Sequence, residues 1–208
     1  MKQVLKKIKE LKNSDIKTVV ETRLSEFEQI GRGNDSQIFL ELCFCLMTAN
    51  FQAEKSIQIQ KEIGKGFLTL SETQLAKKLK ELGHRFPNTR AKYIFEARKY
   101  LKVIKKKLLE FDSEIDARDW IRQNVKGVGM KESSHFLRNI GYKNLAILDF
   151  HIIDLLEREE LIKRPKTITP KNYLVIESVL LRLGEKSKLN MAELDLYLWF
   201  LETGKVLK

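Results

Sequence analysis

Cysteine, histidine, proline and glycine are all scarce in this 208-residue chain, at two, three, three and ten residues. Two cysteines, Cys43 and Cys45, cannot fill the four-ligand set of a structural zinc or an iron–sulfur cluster without other side chains, so a cysteine-rich metal site is excluded. Long apolar runs are missing too. No stretch approaches the ~20 residues of a membrane span. The start, Met1 to Glu10, carries lysine every few residues where a secretory leader would need an apolar segment. These absences predict a soluble, intracellular protein, expected in the cytoplasm and without a membrane partner. Acidic residues are in the minority, 28 against 39 basic ones, and the formal net charge of +11 points to a polyanionic partner. At 43% hydrophobic residues the chain can build one sizeable core or two small ones.

With so few helix breakers, most of the chain shows apolar residues at helical spacing, and an all-α fold is expected. Val4, Leu5, Ile8 and Leu11 recur on one face, and Ile16 to Phe27 continues until Gly31-Arg32-Gly33-Asn34-Asp35 interrupts it. Ile38 to Met47 is apolar all round and predicts a buried helix holding Cys43 and Cys45 as packing. Helices follow at Ala53 to Ile63, Leu75 to Leu82 and Asp116 to Asn124. The run Ala91, Ile94, Phe95, Ala97, Leu101, Ile104, Leu108 predicts one long amphipathic helix with Lys102, Lys105, Lys106 and Lys107 on its solvated face.

Two stretches carry chemistry. In Asn124 to Gly141, Gly127 and Gly129 allow a tight turn whose backbone N–H groups point outward, and with the positive N-terminus of the next helix they form a phosphate seat. Such turns also serve as plain corners. In the helix that follows, Ser133, Phe136, Leu137 and Ile140 share one face and Gly141 terminates it, while Lys131 falls in the first turn on the other side. A cation there meets the positive end of the helix dipole, which favours the free amine that a Schiff-base nucleophile requires. In Leu145 to Leu156 a short apolar run ends at Asp149, which reads as an N-cap: an ionised carboxylate suited to stabilising a developing cation. His151 lies in the first turn of that helix, within reach of a phosphate.

Val-Lys-Gly-Val-Gly-Met-Lys at 125–131, followed eighteen residues after Lys131 by Asp149-Phe150-His151, resembles the helix-hairpin-helix signature of the base-excision DNA glycosylases. The usual proline before the first hairpin glycine is Lys126 here, and the four C-terminal cysteines of the endonuclease III branch are absent. Glu41 to Ala53, Leu82 to Ile94 and the ending Leu196 to Lys208 look like the compact 8-oxoguanine DNA glycosylase/AP lyase family of archaea and some bacteria. The resemblance implies a two-lobed all-α fold: residues 1–30 with 144–208 as one lobe, and 31–143 as a helical barrel ending in the hairpin. It implies Lys131 as nucleophile with Asp149 assisting across a DNA-binding cleft, Phe86, Trp199 and Lys208 around an extruded base, and Asn50 plugging the gap that base leaves. Lys126, Gly127, Gly129 and His151 would contact the DNA backbone, with Lys163, Arg164 and Lys166 adding a sequence-independent grip. No cofactor or catalytic metal is implied, although hairpin carbonyls in the superfamily often hold a monovalent cation. The expected partner is duplex DNA with an oxidised guanine, met by a monomer. A same-fold glycosylase for another lesion and a non-catalytic DNA-binding module remain alternatives.

Overall fold

The computed structural model describes residues 1–208 as thirteen α-helices with no strand. In chain order they are α1 (Lys2–Lys12), α2 (Ile16–Arg32), α3 (Asp35–Thr48), α4 (Ala53–Ile63), α5 (Gly66–Thr69), α6 (Glu72–Glu81) and α7 (Pro87–Ala97). A 3₁₀ turn (Arg98–Tyr100) precedes α8 (Ile104–Leu108), α9 (Glu114–Asn124), α10 (Met130–Asn139), α11 (Phe150–Arg158), α12 (Pro170–Ser187) and α13 (Met191–Thr203). The chain divides into two compact units, Gln29–Ile140 and Met1–Glu28 with Gly141–Lys208. No helix is long and apolar enough to cross a membrane.

The Gln29–Ile140 unit is organised around α3. Asn34 and Gln37 start this helix by exchanging side-chain to backbone hydrogen bonds of 3.0 Å in both directions, which satisfies two otherwise orphaned N–H groups. From Glu41 to Thr48 every residue is buried, because α4, α5, α7, α8 and α10 all pack against it. Phe39 and Phe44 are fully enclosed, each worth about 1.5–3 kcal/mol of transfer free energy. The one carboxylate in this core, Glu41, accepts from Asn139 Nδ2 and Gln60 Nε2 at 3.2 Å each, so it is buried with partners.

The long helix expected through 91–108 is broken. Arg98 turns inward and donates to the carbonyls of Phe67 (2.9 Å) and Leu70 (2.6 Å), capping the end of α5, and the chain tightens into the 3₁₀ turn there. Asp35 Oδ1 then accepts from Lys105 N (2.9 Å) at the start of α8. Lys105 is accordingly no member of a solvated lysine face. Its ammonium donates to the carbonyls of Arg32 (2.9 Å) and Gly33 (2.7 Å) at the end of α2, where a cation suits the helix dipole.

In the other unit, Val20, Phe27, Leu196 and Tyr197 form a core that Leu11, Ile16, Leu24, Leu189 and Val206 cover, so the chain end is packed down by Val206. The helix α12, which apolar spacing alone did not single out, starts at Pro170 behind the Thr169 cap.

Candidate active site

In the Gln29–Ile140 unit the hairpin joins α9 to α10. Gly127 has φ +84°, a left-handed conformation that costs a non-glycine residue about 1–2 kcal/mol. A Cβ there would also lie 2.2 Å from Tyr93 Cδ2, so the Tyr93 ring packs directly on the hairpin backbone. Gly129 is different. Its φ of −98° is ordinary, and it serves as the N-cap of α10. Its N–H is not bare, as the spacing suggested, because Glu132 reaches back and accepts from it at 3.3 Å. The remaining first-turn donors of α10 have no partner within the helix, which is what makes a helix N-terminus attractive to an anion. A monovalent cation at the hairpin would share carbonyls already in use: that of Val125 accepts from Val128 N (3.3 Å), and that of Gly129 from Ser133 N (3.0 Å) and Ser133 Oγ (2.7 Å). The residues fit such an ion only as a shared ligand.

Lys131 occupies the second position of α10, with 22% of its side chain exposed. The expected core face is buried, and so are Ser134, His135, Arg138 and Asn139, because α3 and α9 pack on different sides of this helix. Glu132 Oε1 stands 3.7 Å from its Nζ, so the amine has a carboxylate beside it at the start of the helix. Lys126 is exposed, 3.7 Å from Glu96, with its ammonium 5.8 Å from the Tyr93 ring centre.

Asn50 sits in the turn after α3, exposed, at φ +57°, where asparagine is among the best tolerated residues. Two side chains hold the carbonyls on either side of Thr48. His84 Nε2 contacts Met47 O at 3.1 Å, and because His84 Nδ1 accepts from Phe86 N (3.0 Å), Nε2 must carry the proton. Burial pushes the His84 imidazole below its ordinary pKa, the Met47 carbonyl pulls the other way, and the Arg90 cation lowers it further. Arg90 Nη2 donates to Ala49 O at 2.5 Å. Phe86 is half-buried, with the guanidinium carbons of Arg85 and Arg90 5.0 and 5.7 Å from its ring centre.

In the other unit, Asp149 is the N-cap of α11, its Oδ1 accepting from Ile152 N at 2.9 Å. What aims it is the buried run Leu145–Leu148, whose backbone is held from α12. Glu177 accepts from Ala146 N (3.0 Å), and the Tyr173 hydroxyl donates to Ala146 O (2.6 Å) while accepting from Leu148 N (3.3 Å). His151 is exposed and meets Trp199 edge-on, with ring centres 4.7 Å apart. Trp199 is half-buried, and its indole N–H is enclosed without a hydrogen-bond partner. Lys208 is half-buried at the end of the tail that leaves α13 at Gly204. The basic stretch is less available than composition implied: Arg164 is paired with Asp154 and with Glu157, the latter at 3.5 Å.

The structure thus brings together Asn50, Phe86, Lys126, the hairpin glycines and Lys131 within one unit, and Asp149, His151, Trp199 and Lys208 within the other. Sequence reasoning missed Arg90, His84, Glu132 and Tyr93. Only Glu132 had a local signal, an acid three residues after a helix-starting glycine.

Known proteins match this arrangement along nearly the whole chain. Residues 20–189 match the family model described as 8-oxoguanine DNA glycosylase. An 8-oxoguanine DNA glycosylase/AP lyase of Methanocaldococcus jannaschii is 50% identical over 99% of both chains. That of Korarchaeum cryptofilum is 48% identical over 95% of this chain and 94% of its own. Among solved structures, the M. jannaschii 8-oxoguanine glycosylase/lyase in complex with a 15mer DNA containing 8-oxoguanine superposes with a TM-score of 0.96 at 49% identity, covering 99% of this chain and 100% of the other. The 8-oxoguanine DNA glycosylase of Thermotoga maritima superposes with a TM-score of 0.93 at 44% identity, covering 100% and 99%. With a family match spanning most of its residues and full-length relatives near half identity, the chain belongs to the helix-hairpin-helix family of 8-oxoguanine DNA glycosylases.

Proposed function

We propose that this protein excises 8-oxoguanine from duplex DNA and then cleaves the strand 3′ to the lesion, with Lys131 as the nucleophile. The free amine of Lys131 attacks C1′ of the extruded nucleotide, the glycosidic bond breaks, and the base leaves with the bonding electron pair and is protonated. Loss of the amine proton and ring opening leave a Schiff base between Nζ and C1′. Abstraction of a C2′ proton then expels the 3′ phosphate by β-elimination. The Asp149 carboxylate stabilises the positive charge that develops on the sugar as the base departs. Its Oδ1 is held by the capping bond from Ile152 N, which fixes the side chain at the start of the helix.

Around this chemistry, Gly127, Gly129, Lys126 and His151 contact phosphates, and Asn50 fills the gap in the stack. Phe86 and Trp199 offer π faces to the extruded base, where stacking is worth about 1–3 kcal/mol per base, and Lys208 closes the pocket. The partner is duplex DNA carrying an oxidised guanine, bound by a monomer in the cytoplasm.

The observation that supports the reading most is the register of one turn. The hairpin ends at Gly129 and Lys131 is the second residue of the helix that follows, so the amine comes two residues after a phosphate seat. Borohydride reduction with an 8-oxoguanine duplex tests it. The wild-type protein should form a covalent adduct, and Lys131→Gln should form none while still binding the duplex. An adduct that persists in Lys131→Gln would sink the nucleophile assignment. Equal trapping on an oxidised-pyrimidine duplex would move the substrate, and binding without any trapping would make the protein a DNA-binding module.

A further inference from the structure

A buried arginine is expensive unless its charge is used, and Arg90 is buried at 7% exposure. Its burial works against the cation, while Glu132 and Tyr93 favour it. It sits among four features of the Gln29–Ile140 unit. Nη2 donates to Ala49 O, the carbonyl immediately before Asn50. The guanidinium lies 5.7 Å from the Phe86 ring centre and 6.0 Å from that of Tyr93, whose ring is the surface on which Gly127 rests. It interacts electrostatically with Glu132, the carboxylate that accepts from Gly129 N and stands 3.7 Å from Lys131 Nζ. Meanwhile Nε is enclosed without a hydrogen-bond partner, so the guanidinium is oriented by these neighbours and not by a full set of bonds.

We infer that Arg90 is a positioning residue for base extrusion, acting through Asn50: its guanidinium braces the Ala49-Asn50 turn against Tyr93 and the hairpin. The inference rests on the proposed roles of Asn50 and Lys131. The physical reason is mechanical. Extruding a nucleotide costs a few kcal/mol of stacking and pairing, and the side chain that fills the gap holds the base out only if its own backbone cannot retreat. The distance between plug and phosphate seat must also stay fixed, since misplacement by about 1 Å can cost 100-fold in rate. Arg90 spans both requirements, with a hydrogen bond to the plug turn and an aromatic contact to the residue beneath the seat. His84 secures the same turn from its other side at Met47 O. A lysine at position 90 would supply the charge without the planar fork that bonds a carbonyl and lies against two rings.

The experiment compares two substrates. One is an 8-oxoguanine duplex, where a base must be extruded; the other is a single-stranded oligonucleotide with a preformed abasic site, where none must. For Arg90→Lys, single-turnover excision from the duplex should fall about 100-fold, while borohydride trapping on the single strand falls less than about tenfold. Equal losses on both substrates would overturn the inference, because they would show general damage to the unit. No loss on the duplex would overturn it too. A double-mutant cycle with Asn50→Ala provides the second test: if Arg90 acts through Asn50, the double variant should be no slower on the duplex than Asn50→Ala alone. Fully additive losses would refute the coupling. Absence of wild-type trapping on either substrate would instead overturn the underlying glycosylase reading.

Discussion

The N-termini of α10 and α11 solve the same problem in opposite ways. Each helix begins with N–H groups that have no partner within the helix. At α11 the cap itself brings a carboxylate, and Asp149 accepts directly from Ile152 N. At α10 the cap is a glycine with no side chain, and the acid arrives three residues later, when Glu132 reaches back to Gly129 N. The first arrangement places a negative charge at the helix mouth. The second brings the charge in from the side of the first turn. One elementary feature, the positive helix end, thus meets a capping carboxylate in one unit and a cap without a side chain in the other. Their settings differ as well. Asp149 is aimed by side chains of α12 that grip the run before it, whereas the hairpin rests on the Tyr93 ring.

The largest effect that can test this contrast separates charge from cap at Asp149. Asparagine caps a helix about as well as aspartate, so Asp149→Asn should melt near the wild type and bind duplex normally. It should nevertheless excise about 10²–10³-fold more slowly in single-turnover assays. If excision survives, Asp149 is only a cap and the two helix ends differ only in where the acid comes from. Asp149→Ala should add a stability loss of about 1 kcal/mol.

Next in size is Gly127→Ala. The left-handed backbone and the overlap with Tyr93 together should cost about 2 kcal/mol or more, read as a lower unfolding midpoint. Binding should weaken alike on damaged and undamaged duplex, because the phosphate contacts proposed for the hairpin carry no base information. Unchanged melting would show that Tyr93 does not support the hairpin. Smallest is Glu132→Ala, which removes the reached-back cap and should cost about 1 kcal/mol. Glu132→Gln keeps an acceptor oxygen and should recover about half of that loss by thermal melting.

Much of the helical outline was legible because helices of ten or more residues announce themselves by spacing: α3, α4, α6 and α9 lie within a few residues of where the apolar pattern places them. The failure at 91–108 has a specific cause. Apolar spacing continues through Arg98, but the guanidinium is drawn to carbonyls of Phe67 and Leu70 about thirty residues earlier, and no local pattern records that attraction. The misreading of Lys105 has the same origin, since its partners at Arg32 and Gly33 are more than seventy residues away.

The division within the site follows the same line. Lys131, Asp149 and the hairpin glycines were readable because a turn, a cap and a first-turn cation are each defined by a few consecutive residues. Arg90 and His84 were not, because what they hold lies 41 and 37 residues away in the chain. By itself the sequence determined an all-α chain with a Gly-Val-Gly turn between two helices, a lysine just behind it and a capping aspartate, since these depend on local backbone chemistry. Tertiary structure alone decided that Glu132 occupies the Gly129 donor, that Tyr93 lies under Gly127, and that a buried arginine braces the turn bearing Asn50. Those contacts depend on which distant side chains packing brings within a few ångströms, and that is information no short stretch of sequence contains.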